Sequence, residues 1–356
     1  MTSARKPASS CFSQISLLLG LATMVHAAPT LAAPTASFAD SPAAIAFARD
    51  LEQRQGFDAS ALLAQFATAH PNAQVLKLIK PPTSPQQRSW ERYRQRFLTN
   101  RRIDAGVRFW QQHRATLAKA SALYGVPEEI IVSIIGVETE YGQNTGNFRV
   151  LEALATLAFD YPPRAEFFRT ELEQFLLMSR ENGLDAAAVR GSFAGAIGIP
   201  QFMPGSQRRY GVDFDGDQRI DLSNSVEDAI GSVAHFLAQH GWQAGSQVAV
   251  PALIADAPAP ELLEAGIRPR LNAGDLARQG IRANIADGAS VALIDLVTPG
   301  KATEYWLGLE NFYVITRYNR SSFYAMAVFQ LAEAVRDRLC GSETLTATNR
   351  EKYCRA

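Results

Sequence analysis

A chain of 356 residues that is 47% hydrophobic can bury a real core and has room for more than one domain, which excludes a disordered protein. Its 35 basic and 35 acidic side chains balance, so charge gives no reason to expect a nucleic-acid partner. Beyond the N-terminal region no apolar stretch is long enough to span a bilayer, and no transmembrane anchor is expected.

The first 33 residues read as a secretory signal peptide and leader. Arg5 and Lys6 precede an apolar run from Ile15 to Val25, and Val25-His26-Ala27 supplies small residues for cleavage after Ala27 or Ala28, with Ala32 or Ala33 as the alternative. Removing Arg5 and Lys6 leaves 33 basic against 35 acidic side chains, a mature charge near −2. Cys11 precedes the apolar run, so it is not placed to carry a lipid. Residues 33 to 40 are small and polar, and ordered structure is expected from Ser41-Pro42 onward. Helical patterns broken by Gly56, Pro71 and the Pro81 to Pro85 cluster fill residues 43 to 124, the longest at Trp90 to Leu98 and Ile103 to Tyr124.

The stretch Ile130 to Gly142, IIVSIIGVETEYG, predicts a helix with almost no polar face, opened by Pro127 and closed by Gly142. Glu138 shares a face with Ile131, Ile134 and Ile135, so its carboxyl is expected in an apolar setting that raises its pKa and suits a proton donor near neutral pH. Glu140 points the other way. Helices follow at Val150 to Phe159 and at Pro162 to Asn182, the latter stopped by Gly183. The segment 191 to 206, GSFAGAIGIPQFMPGS, has too many glycines and prolines for a regular helix, and reads as a tight contact or as the wall of a groove.

Asp213, Asp215, Asp217 and Asp221 occupy positions 1, 3, 5 and 9 of a calcium loop, with the Arg219 carbonyl at position 7 and Ile220 at the apolar position 8. Gln218 stands where an EF-hand has glycine, and Asn224 where it has its bidentate acid, a role open to Glu227 or Asp228. Ser225 to Asp228 also fits a capping box for the helix expected from Val226 to His240. Short apolar runs at Val248 to Leu253 and Ser290 to Val297, separated by Pro, Gly and Asp, predict a small β-containing insert, and residues 322 to 339 a final helix. No H-E-x-x-H, G-x-S-x-G or phosphate loop occurs. Tyr318, Asn319 and Tyr324 offer flat rings and an amide, which is equipment for holding sugar. Cys340 and Cys354 form an even pair for an oxidising compartment, and a disulfide is expected.

Four motifs in order, GVETEYG (136 to 142), the glycine-rich segment, the aspartate loop with DAIGSVAHF (228 to 236), and NFYVITRYNRSSFYAMAV (311 to 328), resemble the lytic murein transglycosylase B family over residues 40 to 340. The resemblance implies a mainly α (α+β) fold with a lysozyme-like catalytic core, an EF-hand-like calcium loop, a wrapping α domain and a small β-containing domain. The layout expected is an N-terminal α domain at 34 to 125, the core at 126 to 242 with its loop at 213 to 228, the insert at 243 to 310, and a return to the core with a C-terminal tail at 311 to 356. It also implies structural Ca²⁺; the signal peptide leads to the expectation of a periplasmic enzyme, the lack of a lipidation cysteine to that of a soluble relative of the membrane-anchored members, and a monomer is expected. Peptidoglycan glycan strands are its substrate, and cell-wall synthases its candidate protein partners. Carried over by motif, Glu138 matches the single catalytic acid/base, while Ser192, Gln201, Tyr318, Asn319, Tyr324 and Tyr93 (in ERYRQRF) match substrate-binding residues. Family members cut between N-acetylmuramic acid and N-acetylglucosamine and leave 1,6-anhydromuramic acid ends. The lone acid fits that outcome, because ordinary glycosidases need two carboxylates. A hydrolytic muramidase on the same fold and a non-catalytic calcium-dependent peptidoglycan-binding protein are the rival readings.

Overall fold

The first described element is an aromatic anchor, three residues ahead of the start expected at Ser41. The computed structural model describes residues 37–80, 88–341 and 354, so the signal-peptide reading of residues 1–33 lies outside the described residues. Phe38, in a 3-10 turn over Phe38–Asp40, is buried beside Phe159 at 5.6 Å, and its N–H donates to the Ala69 carbonyl at 3.0 Å. Burying a phenylalanine outweighs the polar, small-residue composition on which a disordered leader was expected.

Helices α1 (Pro42–Gln55), α2 (Ala59–Phe66) and α3 (Ala73–Leu78) follow, with the Asp58 and Asn72 side chains capping α2 and α3. Then come α4 (Trp90–Phe97), α5 (Asn100–Gln112), α6 (Arg114–Tyr124) and α7 (Glu128–Thr139). Strand β1 (Phe148–Arg149), α8 (Val150–Asp160), α9 (Ala165–Glu181) and β2 (Arg190–Gly191) complete a second group. Its members α8 and α9 share one apolar core with α1 to α3, formed by Phe47, Leu51, Phe66, Leu154, Leu172 and Phe175 among others.

The largest core surrounds α7. It takes in α4 to α7, α10 (Pro204–Tyr210) at its edge, α11 (Val226–Gln239), α14 (Glu310–Tyr318) and α15 (Ser322–Cys340). Residues Ile131, Val132, Ile134 and Ile135 of α7 are all fully buried, as an all-apolar helix requires. Pro127 sits one place before the helix rather than in its first turn, and α7 stops at Thr139, short of Gly142.

The third core belongs to an antiparallel sheet in the order β4-β6-β7-β3-β5. Its members are β3 (Ala249–Ile254), β4 (Leu271–Asn272), β5 (Ile281–Arg282), β6 (Ser290–Leu296) and β7 (Glu304–Gly308), with short helices α12 (Pro260–Glu264) and α13 (Ala273–Arg278). Buried Asn311, at the start of α14, fixes where the chain enters this sheet: it accepts from the Gln243 N–H and donates to the Gln243 and Ser246 carbonyls. Cys340 and Cys354 are disulfide-bonded, with Cα atoms 5.7 Å apart. Among the described residues no single helix is long and apolar enough to cross a membrane.

Candidate active site

The last turn of α7 carries Glu138 to the edge of the main core, one helical turn beyond buried Ile134 and Ile135. Its Oε1 accepts a 2.5 Å hydrogen bond from the Tyr324 hydroxyl. Burial away from water disfavours the carboxylate and lifts the Glu138 pKa to about 7, while the Tyr324 hydrogen bond works the other way. Among the described residues no second carboxylate acts on it. Glu140 faces elsewhere, 3.0 Å from Arg101 and 3.8 Å from Arg102 on α5.

Tyrosines surround this carboxyl. Tyr324, in the first turn of α15 and held there by the Ser321 cap, lies parallel to the Tyr318 ring with centroids 6.4 Å apart. Tyr318 ends α14 and donates its hydroxyl to the Pro200 carbonyl at 2.6 Å, fastening the glycine-rich segment to the core. Burial and the Glu138 charge push both phenols well above their ordinary range. Tyr93 of α4 packs against Trp90, Phe97 and Phe323, and the same two causes push it up to about 12. The structure therefore brings Tyr93, Tyr318 and Tyr324 into the electrostatic reach of one carboxyl.

Within the segment 191–206 the glycines make the tight contacts that the sequence allowed. At Gly191 and Gly198 a side chain would collide with the backbone of Ala196 and Leu222, so these glycines are close backbone contacts. Between them Ser192 Oγ accepts from the Ala196 N–H at 3.0 Å. Gln201, at φ 52°, donates its amide to the Thr145 and Gly198 carbonyls at 2.9 Å, joining the segment to the loop after α7. Asn319 stands exposed beside Tyr318, outside this hydrogen-bonded group, its carbonyl accepting from the Ser321 N–H.

One residue of the site escaped the sequence reading. Thr139 Oγ1 donates to the Ile199 carbonyl at 2.8 Å and accepts from the Gly142 N–H at 2.9 Å, tying the end of α7 to the glycine-rich wall. Its position next to Glu138 was the available signal, but a threonine ending an apolar run has many uses.

At the aspartate loop, between α10 and α11, carboxylate oxygens of Asp213, Asp215 and Asp217 lie within 4.8 Å of one another at the surface. Asp213 accepts from the N–H groups of Gly216, Asp217 and Gln218, and Gln218 takes φ 72°, the left-handed angle that glycine usually supplies. Arg219 donates its N–H to Asp217, and Asp221 accepts from Ser223 and Asn224. Asp228 is buried and accepts from the Phe214 and Asp221 N–H groups at 2.7 and 2.8 Å. Its own N–H donates to the Ser225 cap. Glu227 lies on the surface, 3.9 Å from His113.

Comparison with known proteins gives one answer. A family model described as a transglycosylase SLT domain matches residues 40–333. The membrane-bound lytic murein transglycosylase B of Escherichia coli (strain K12) is 45% identical over 311 residues, 84% of each chain. The solved structure of the Escherichia coli lytic transglycosylase Slt35 in complex with calcium is 43% identical, with TM-score 0.78, covering 86% of this chain and 96% of that one. SltB3 from Pseudomonas aeruginosa, in complex with NAG-anhNAM-pentapeptide, is 31% identical with TM-score 0.71, covering 82% and 78%. With a family match over most of its length and that degree of identity, the chain belongs to the lytic murein transglycosylases and is an enzyme that cleaves peptidoglycan.

Proposed function

We propose that Glu138 is the single acid/base of a reaction that breaks the β-1,4 bond between N-acetylmuramic acid and N-acetylglucosamine and leaves 1,6-anhydromuramic acid ends. The observation that carries this reading is a lone buried carboxyl with a raised pKa, on which no second carboxylate acts among the described residues. Hydrolysis by an ordinary glycosidase needs two. With a pKa of about 7 Glu138 is available as an acid at neutral pH. It protonates the leaving glycosidic oxygen, and the carboxylate so formed keeps the Tyr324 hydrogen bond. That carboxylate then takes the proton from the muramoyl C6 hydroxyl as its oxygen attacks C1, which regenerates the acid. Tethering the nucleophile to the substrate replaces a water that would have to be held in place.

Ser192, Gln201, Tyr318, Asn319, Tyr324 and Tyr93 line the path of the glycan in this reading, supported by the parallel Tyr318 and Tyr324 rings and by the influence of Glu138 on all three phenols. The working compartment is the periplasm, with which the Cys340–Cys354 disulfide agrees. Calcium fits the aspartate loop: three convergent carboxylates are the hard oxygen donors it prefers. Asp213, Asp215 and Asp217 would hold it with the Arg219 carbonyl, Asp221 and the acid at 227 or 228, and the ion would brace the loop before α11. Slt35, a structure with calcium, supports that reading.

Mass spectrometry of digested sacculi tests the reaction. Anhydro-ended muropeptides, ~18 Da lighter than hydrolysed ones because no water is added, are expected. Reducing ends carrying heavy oxygen from labelled water would mean a hydrolytic muramidase.

A further inference from the structure

Helix α7 ends, one residue past Glu138, by an uncommon route. Glu140, Tyr141 and Gly142 follow one another at φ 52°, 63° and 84°, all left-handed, and two of them carry side chains that disfavour it. Something outside the turn must hold it. The ion pair of Glu140 with Arg101 involves a side chain that is 73% exposed, and contributes little.

Tyr141 is the stronger restraint. Its ring enters a slot between α5 and α7 that exists because both helices carry glycine there. A Cβ on Gly136 would lie 2.6 to 2.8 Å from the ring's Oη, Cζ and Cε1 atoms, and one on Gly106 would collide with its hydroxyl. Glycine inside a helix is destabilising relative to alanine, so two facing helical glycines have a use here that helix formation does not supply. Phe109 flanks the ring at 5.4 Å. The hydroxyl itself is buried with no hydrogen-bond partner, so shape rather than polarity holds the ring. The turn also reaches the segment 191–206: the Gly142 N–H donates to Thr139 Oγ1, which donates to the Ile199 carbonyl.

We propose that Tyr141 is a positioning residue for the reaction: its ring, wedged against Gly106 and Gly136, locks the left-handed turn that fixes the direction of the Glu138 carboxyl and its distance from the segment 191–206. This rests on Glu138 being the acid/base.

The test compares Tyr141→Phe, Tyr141→Leu and Gly106→Ala with Glu138→Gln in the full-length enzyme, measuring kcat and KM on soluble glycan strands, the pH profile of kcat/KM and the melting temperature. Tyr141→Phe keeps the wedge, and its kcat should stay within about twofold, since an unpartnered buried hydroxyl contributes no stability. Tyr141→Leu vacates the end of the slot and should lower kcat about 10- to 100-fold, the size expected of a small displacement of a reacting group, with KM little changed. Its alkaline limb should move to lower pH as water reaches Glu138. Gly106→Ala presses on the ring, and on the Val335 side chain of α15, from α5 without changing the sequence of α7; it should give the same signature, so it decides the matter if Tyr141→Leu does not fold. Wild-type kcat and pH profile in the folded Leu variant, or in Gly106→Ala when the Leu variant does not fold, would overturn the proposal whatever the melting temperature. So would a Phe variant as impaired as Leu. An inactive Glu138→Gln beside fully active Tyr141 and Gly106 variants removes the wedge alone, whereas an active Glu138→Gln removes the acid/base reading beneath it.

Discussion

At the end of α7 Glu140 and Tyr141 hold left-handed backbone angles beside a packed interior; in the aspartate loop Gln218 holds one at the surface. The means differ. An aromatic ring in a glycine-lined slot holds the first, and carboxylate oxygens accepting backbone N–H groups hold the second. Packing responds to volume and hardly to salt, whereas an exposed cluster of acids responds to cations. The turn that serves the chemistry is thus the one insulated from the ionic environment, and the turn that can respond to it lies in a separate loop.

The largest break in that comparison comes from the carboxyl that the first turn positions. Glu138→Gln keeps the shape and removes the group proposed for both proton transfers, so turnover should fall by about 10² to 10⁴, read on intact sacculi. Its stability should move the opposite way. The folded pKa of about 7 lies above the ordinary glutamate value of 4.5, so as pH rises from 4.5 the unfolded chain ionises first and wild-type stability declines until about pH 7. The glutamine variant is free of that loss. Calorimetry should find it melting above the wild type at pH 8, with the advantage gone at pH 4.

Tyr324→Phe comes next. Without its hydroxyl the Glu138 carboxylate loses a hydrogen bond that favours it, so the pKa should climb further. Hydrogen bonds to charged groups contribute about 1.5 to 3 kcal/mol, equivalent to a rise of about one to two units. The alkaline limb of kcat/KM should move up accordingly, with lower activity at neutral pH because the carboxylate formed in the first step is less stable. An unmoved limb would mean that the 2.5 Å contact does not act on the acid.

These two residues also mark where the sequence was legible. The apolar setting of Glu138 followed from Ile131, Ile134 and Ile135, because a helical period places neighbours three, four and seven apart on one face. The aspartate loop was legible for the same reason: its partners are local. Tyr324 reads from the sequence only as a candidate sugar contact, while its hydrogen bond to Glu138 spans 186 positions, and no period records such a distance. The slot for Tyr141 was hidden more thoroughly, since Gly106 and Gly136 read in isolation only weaken their helices. Phe38 is the converse case, a single buried ring that outweighed the composition around it.

The aspartate loop sharpens the contrast with a smaller effect. Extracellular calcium sites have dissociation constants of roughly 10⁻⁴ to 10⁻³ M. At about 10 mM Ca²⁺ the upper end of that affinity adds about 2.7 kcal/mol and raises the melting temperature by a few degrees over chelator. Asp213→Asn should remove the difference while leaving the pH profile of activity unchanged. Equal melting with Ca²⁺ and chelator in the wild type would leave the carboxylates as a self-contained turn.

The smallest effect is expected at Glu140, and it bears most directly on how the first turn is held. Glu140→Gln loses the contacts at 3.0 and 3.8 Å to Arg101 and Arg102, yet Arg101 is exposed, so the first pair contributes about 0 to 1 kcal/mol and weakens further in salt, and the second, between more buried side chains, is too long for a hydrogen bond. The left-handed angle itself survives the change, since glutamine already occupies that region at Gln201 and Gln218. Activity should therefore stay within about twofold of wild type and the melting temperature should shift little. Titrating wild-type enzyme with NaCl should mimic the variant. A loss as large as that of Tyr141→Leu would mean that charge, and not the ring, holds the end of α7, and the two turns would then be held by the same force.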